Sequence, residues 1–168
     1  RLLPIILITL LILPTFLFSQ VIRQEISDAL SSGDTTHAIE LIQADIKLDP
    51  SFAHNYYLLG QIYSNQGKFA DAEQQYQLSY DKGSRFYEGL YALGLIQLKL
   101  NKLTEAQATM ETGLKKTKGT MKGSFHNGMS LVYMAKGDAN AADRELRQAI
   151  VLDSNNFDYH VNLGNAAM

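Results

Sequence analysis

The chain has 168 residues, a formal net charge of −2 and a sequence pI near 6.1. That is enough for one domain and gives no global attraction to nucleic acid. The absence of cysteine excludes disulfides, a lipid-modified cysteine and metal sites built on thiolates.

The first residues differ in kind from the rest. Leu2 to Phe18 is almost wholly apolar, with Arg1 in front, prolines at Pro4 and Pro14, and no further charge until Arg23. This stretch is predicted to be a cleavable export signal, a membrane anchor, or the last helix of a larger membrane domain. Pro14 reads as a helix break, and Ser19 as the small residue before a cut, although Leu17 is larger than such cut sites prefer. The apolar run is also about long enough to span a bilayer, which needs roughly 20 residues. A signal or an anchor would place residues 20–168 outside the cytoplasm, in the periplasm or cell envelope. Both ends read as cut: Arg1 is not a start, and Met168 falls within a fifth unit.

From Ser19 onward the sequence repeats. Gly60 and Gly94, Leu59 and Leu93, and Ala38, Ala72 and Ala106 each recur at a step of 34 residues. The units are 19–52, 53–86, 87–122, 123–156 and a partial 157–168, with a two-residue insertion near 119–122 that reads as a widened turn. Site four holds Ile22, Tyr56, Leu90, His126 and His160. Site eight is small (Gly60, Gly94, Ser130, Gly164), site fifteen is a turn residue (Gly33, Gly67, Asn101, Gly137), and site twenty is alanine. Apolar residues recur three and four apart, which predicts helices and not strands. Small side chains at sites eight and twenty let antiparallel helices approach closely, and larger ones at four, seven, eleven and twenty-four fill the remaining space. A residue able to adopt positive φ at site fifteen ends each first helix. A period of this length predicts an all-α solenoid of stacked hairpins, an architecture that usually holds another protein.

The second unit carries Tyr56, Leu59-Gly60, Tyr63, Ala72 and Tyr76, and Pro50 closes the first. In these positions the chain resembles the tetratricopeptide repeat family over residues 19 to 168. The resemblance implies a right-handed superhelical solenoid, here preceded by an N-terminal hydrophobic helix, with a concave groove lined by the first helices. Unit one departs from the pattern, with Glu25 and Ile26 in place of Leu-Gly, and reads as a divergent cap. The expected groove residues are Arg23 and Ser27; His54, Tyr57, Gln61 and Asn65; Glu88, Tyr91, Leu95 and Lys99; Asn127 and Leu131; Asp158 and Asn162. Amides can pair with the backbone of an extended peptide, and tyrosines give contact area at low entropic cost. The family's clamp for a chaperone's C-terminal carboxylate is absent, because Leu58, Glu88, Ala92, Ser124 and Gly128 stand where its asparagine and cations would.

Nothing in the residues predicts catalysis, a cofactor or a metal site. His126 and His160 fall at a packing site, His54 faces the other way, and no histidine pair has helical metal-site spacing. Gly119 to Ser124 follows a helix and lacks the spacing of a phosphate loop. Tyr56, Tyr63 and Tyr76 read as core and not as a nucleic-acid stacking platform. Charge is uneven: residues 19–92 hold 5 basic and 10 acidic residues, while 99–122 hold 6 basic and 2 acidic. Lys115, Lys116, Lys118 and Lys122 read as cations at a helix C-terminus, with an acidic-partner patch as the alternative. The expected function is a non-catalytic scaffold that binds a peptide or helix of an envelope partner, and membrane contact only through residues 1–18. Two alternatives remain: the substrate-presenting arm of a larger enzyme, and self-association through the incomplete fifth unit.

Overall fold

The computed structural model describes the backbone of residues 3–166 and the side chains of 17 and 19–166. Its helices are α1 (Leu3–Ser32), α2 (Thr35–Leu48), α3 (Ala53–Asn65), α4 (Phe69–Lys82), α5 (Tyr87–Lys99), α6 (Leu103–Lys116), α7 (Gly119–Ala135), α8 (Ala139–Leu152) and α9 (Phe157–Ala166). No strand occurs among the described residues. Each first helix packs antiparallel on its second, and each second helix on the next first helix, giving an all-helical solenoid.

The repeat sites act as their spacing predicts. Gly33, Gly67, Asn101 and Gly137 take positive φ of 79, 75, 59 and 79°, turning the chain between the helices of each hairpin. Ala38, Ala72, Ala106 and Ala142 are fully buried, and so are or nearly are Ile42, Tyr76, Met110 and Leu146 at site twenty-four. The close approach is real: a Cβ added to Gly60 would lie 2.5 Å from Tyr76 Cε1. One apolar cluster joins α1, α2 and α3, a second runs from α4 to α7, and Tyr63 packs against both.

A further register links consecutive repeats. Site twenty-seven of one unit faces site three of the next. At the first junction Asp45 accepts a hydrogen bond from Asn55 Nδ2 (2.8 Å). At the second, Ser79 Oγ lies against the bare Cα of Gly89, and at the third Gly113 receives the ring of Phe125. Ala149 and Tyr159, both buried, occupy the same positions at the fourth.

Two expectations change. The insertion at 119–122 is not a widened turn but the first turn of α7, which has 17 residues against 13 in α3 and α5. Gly119 reverses the chain at a positive φ of 57°, and Met121 then packs against the core, which favours helix over loop. At the other end, no separate hydrophobic helix precedes the solenoid among the described residues. α1 runs as one element into unit one, and Pro14 does not end it. The side chains of residues 1–16 and 18, most of the segment read as signal or anchor, lie outside the described residues. Among the described residues no helix is long and apolar enough to cross a membrane.

Candidate functional site

The first helices form the inner wall. α3 approaches α5, and α5 approaches α7, whereas no two second helices among the described residues meet to a comparable extent. Three clefts follow this wall. One of about 240 Å³ lies between α1 and α3, bounded by Arg23, Ser27, Leu30, Phe52, His54 and Leu58. A second, of about 640 Å³, includes Leu58, Gln61, Ser64 and Asn65. The third, of about 180 Å³, is bounded by Ser64, Ala92, Leu95 and Lys99.

The sequence-derived groove residues separate into three groups. Arg23 is bound internally. Its Nε donates to Asp45 (2.7 Å), its Nη2 donates to Asp49 (3.1 Å), and its guanidinium lies 3.6 Å from the centre of the Phe52 ring. Asp45 is fully buried. Burial alone would push its carboxyl up, but hydrogen bonds from Arg23, Ser19 and Asn55 and the Arg23 charge hold it below the ordinary carboxylate range.

The second group faces solvent along α3 and α5. His54 and Glu88 are exposed, and Tyr57 is half-buried. Their rings form a chain with Phe86: His54 to Tyr57 and His54 to Phe86 at 5.9 Å, Tyr57 to Phe86 at 5.4 Å, and Tyr57 to Tyr76 at 5.8 Å. Partial desolvation by the neighbouring rings lowers the His54 pKa, opposed by Glu88 and reinforced by Arg23. Burial raises Tyr57, with Glu88 acting in the same direction, and pushes Tyr76 up to about 12. Gln61 donates to the Tyr57 hydroxyl (3.1 Å), and Asn65, Leu95 and Lys99 continue the wall.

In the third group, the polar atoms satisfy one another. Asn127 is buried and donates to the Tyr91 hydroxyl (3.3 Å), while its own Oδ1 accepts from Asn162 (2.8 Å). Tyr91 packs edge-on against Phe125 at 5.5 Å, and burial is the first cause that raises its pKa. Leu131 is half-buried and Asp158 exposed. The open part of the wall therefore runs over α1, α3 and α5.

Sequence reasoning missed the sixth-site residues Leu58 and Ala92, and it missed Phe52 and Phe86. The two phenylalanines are 34 apart and directly precede first helices, so the repeat itself carried the signal. Asn162 also belongs to site six, one position past the fifth. Among the histidines, His126 Nδ1 meets Glu145 Oε2 at 2.7 Å within the α7–α8 hairpin. His160, by contrast, is exposed, since no described helix follows α9 to cover it; its Nε2 lies 3.0 Å from Ser154 O. In the basic stretch, Lys116 donates to the Tyr80 hydroxyl (2.6 Å), and Lys115 and Lys118 are exposed.

Comparison with known proteins agrees with this architecture. Sequence profiles described as "Tetratricopeptide repeat" match residues 46–74 and 87–115, and one described as "TPR repeat" matches 131–168. No curated protein is significantly similar to the chain in sequence. The PilF structure of Pseudomonas aeruginosa superposes with a TM-score of 0.79 at 16% identity, over 91% of this chain and 69% of that one. MamA from Desulfovibrio magneticus RS-1 gives 0.73 at 16% identity, over 88% and 82%. YrrB, described as a TPR protein with an unusual peptide-binding site, gives 0.65 at 17% identity, over 84% and 72%. These likenesses concern the fold. Matched by repeat profiles over more than half its length and folded as their solenoid, the chain belongs to the tetratricopeptide repeat family.

Proposed function

We propose that this protein is a non-catalytic interaction module that holds an extended peptide or a helix of a partner protein along the inner wall of α1, α3 and α5. The observation that carries the reading is the run of clefts along that wall, beside exposed amides and half-buried rings. Amides such as Gln61 and Asn65 can pair with a peptide backbone, while Leu58 and Ala92 give apolar contact. The fold supports a protein or peptide partner, and YrrB is a fold relative described as having a peptide-binding site.

Phage-displayed random peptides selected on the purified protein test this. Selected peptides are expected to lose binding to Gln61→Trp, which fills the cleft, and to keep it with Gln74→Trp on outer helix α4. Equal binding to both variants would remove the groove assignment.

We further propose that the module works in the cell envelope, tethered through residues 1–18. Ser19 supports tethering over cleavage: it is buried, and its Oγ donates to Asp45 Oδ1 at 2.6 Å, so a cut there would end the chain inside unit one's polar network. The intact mass of the envelope-fraction protein decides between them. A chain beginning at Gln20 would establish a cleaved signal instead.

A further inference from the structure

Unit one of the solenoid already contains a complete arginine site, filled by its own side chain. Arg23, at site five of α1, lies over the ring of Phe52 while Asp45 and Asp49 take its nitrogens. One repeat later the aromatic half of that construction recurs, while Ser79 and Gly83 stand where Asp45 and Asp49 did. Phe86 replaces Phe52 and Tyr57 replaces Arg23. Beside them Glu88 is exposed and enters no ion pair among the described residues. We propose that the patch formed by His54, Tyr57, Phe86 and Glu88 holds an arginine side chain of the bound peptide. This rests on the groove reading above.

Two observations favour that occupant. The rings of His54, Tyr57 and Phe86 lie within 5.4 to 5.9 Å of one another with T-shaped or tilted faces, a surface suited to a cation. Residues 19–92 carry 5 basic and 10 acidic residues, a field that attracts a cationic segment to this half of the groove. Partial desolvation also favours the neutral form of His54. Arginine suits the patch better than lysine, because a planar guanidinium can stack on a ring and bond a carboxylate together, as Arg23 does.

The peptide selection described above tests the assignment with a different readout. Arginine is expected to be enriched about threefold or more over the unselected library, the range a cation–π contact supports. The selected peptides should then bind Glu88→Gln about fivefold more weakly, as an exposed ion pair permits. Circular dichroism controls for folding, and an exposed glutamine is a mild change. Peptides without arginine enrichment, or indifferent to Glu88→Gln, yet lost with Gln61→Trp, would overturn the arginine site and leave the groove standing. Failure to select any peptide, or peptides indifferent to Gln61→Trp, would overturn both.

Discussion

Gly113 of α6 and Phe125 of α7 meet so closely that a Cβ on the glycine would sit 2.1 Å from the ring's Cε1. Phe125 is fully buried and cannot swing aside. Gly113→Ala should therefore destabilise the fold by about 1–3 kcal/mol, the cost of overpacking. Adding Phe125→Leu should recover part of the loss, since contacting residues couple. Urea unfolding of the single and double variants measures both effects; full additivity would show that the two sites do not press on each other.

Ser79 offers the opposite case. Its Oγ is buried without a hydrogen-bond partner, tucked against Gly89. Ser79→Ala removes an unsatisfied hydroxyl and should stabilise the protein by about 1 kcal/mol. A fall in the unfolding midpoint would mean that the hydroxyl is bonded after all.

Asp45 sets an acid limit on unit one. Its folded pKa is lowered, so its contribution is fully present above the unfolded carboxyl value and lost as pH falls through the folded one. Thermal stability should hold from neutral down to about pH 4 and then decline. Asp45→Asn should cost about 2–3 kcal/mol at neutral pH, a loss of charged hydrogen bonds, and should flatten the decline. An unchanged acid profile in that variant would assign the acid sensitivity to other carboxylates.

Asn101 holds a φ of 59° where the three equivalent turns have glycine. Asn101→Ala should cost about 1 kcal/mol, and Asn101→Gly should be close to neutral. Differential scanning calorimetry separates the two; an alanine variant as stable as the parent would mean that the turn relaxes.

The two site-five tyrosines should behave differently on truncation. Tyr91 packs on Phe125 and accepts from Asn127, so Tyr91→Ala should lose about 2–4 kcal/mol of stability through cavity formation. Tyr57 lies beside the exposed His54 and Glu88, so Tyr57→Ala should mainly weaken peptide capture. Equal losses of stability in both would make Tyr57 a packing residue too.

The helices, the turns and the alanine ladder were legible in the residues because each repeats a local rule that recurs at a fixed step. The insertion was not, since Gly119 and Met121 turn a loop into helix through a contact that spacing alone does not reveal. The groove was legible as a face but not as a set of free groups. Arg23, Tyr91 and Asn127 belong to that face, yet their polar atoms are taken by Asp45, Asn127 and Asn162, partners on other helices. Side-chain pairing between repeats is a matter of three dimensions. A register keeps positions equivalent without saying which of them are occupied.

The junctions between repeats give the solenoid an order. A carboxylate meets an amide at the first, a hydroxyl meets a glycine at the second, and a glycine meets a phenylalanine at the third. Exchanging units two and three would bring Asn55 onto Gly113 and Phe125 onto Ser79, and duplicating unit two would bring Asn55 onto Ser79. The modules look alike along the chain, but their mating surfaces are individual, so shuffling them would fail at the seams.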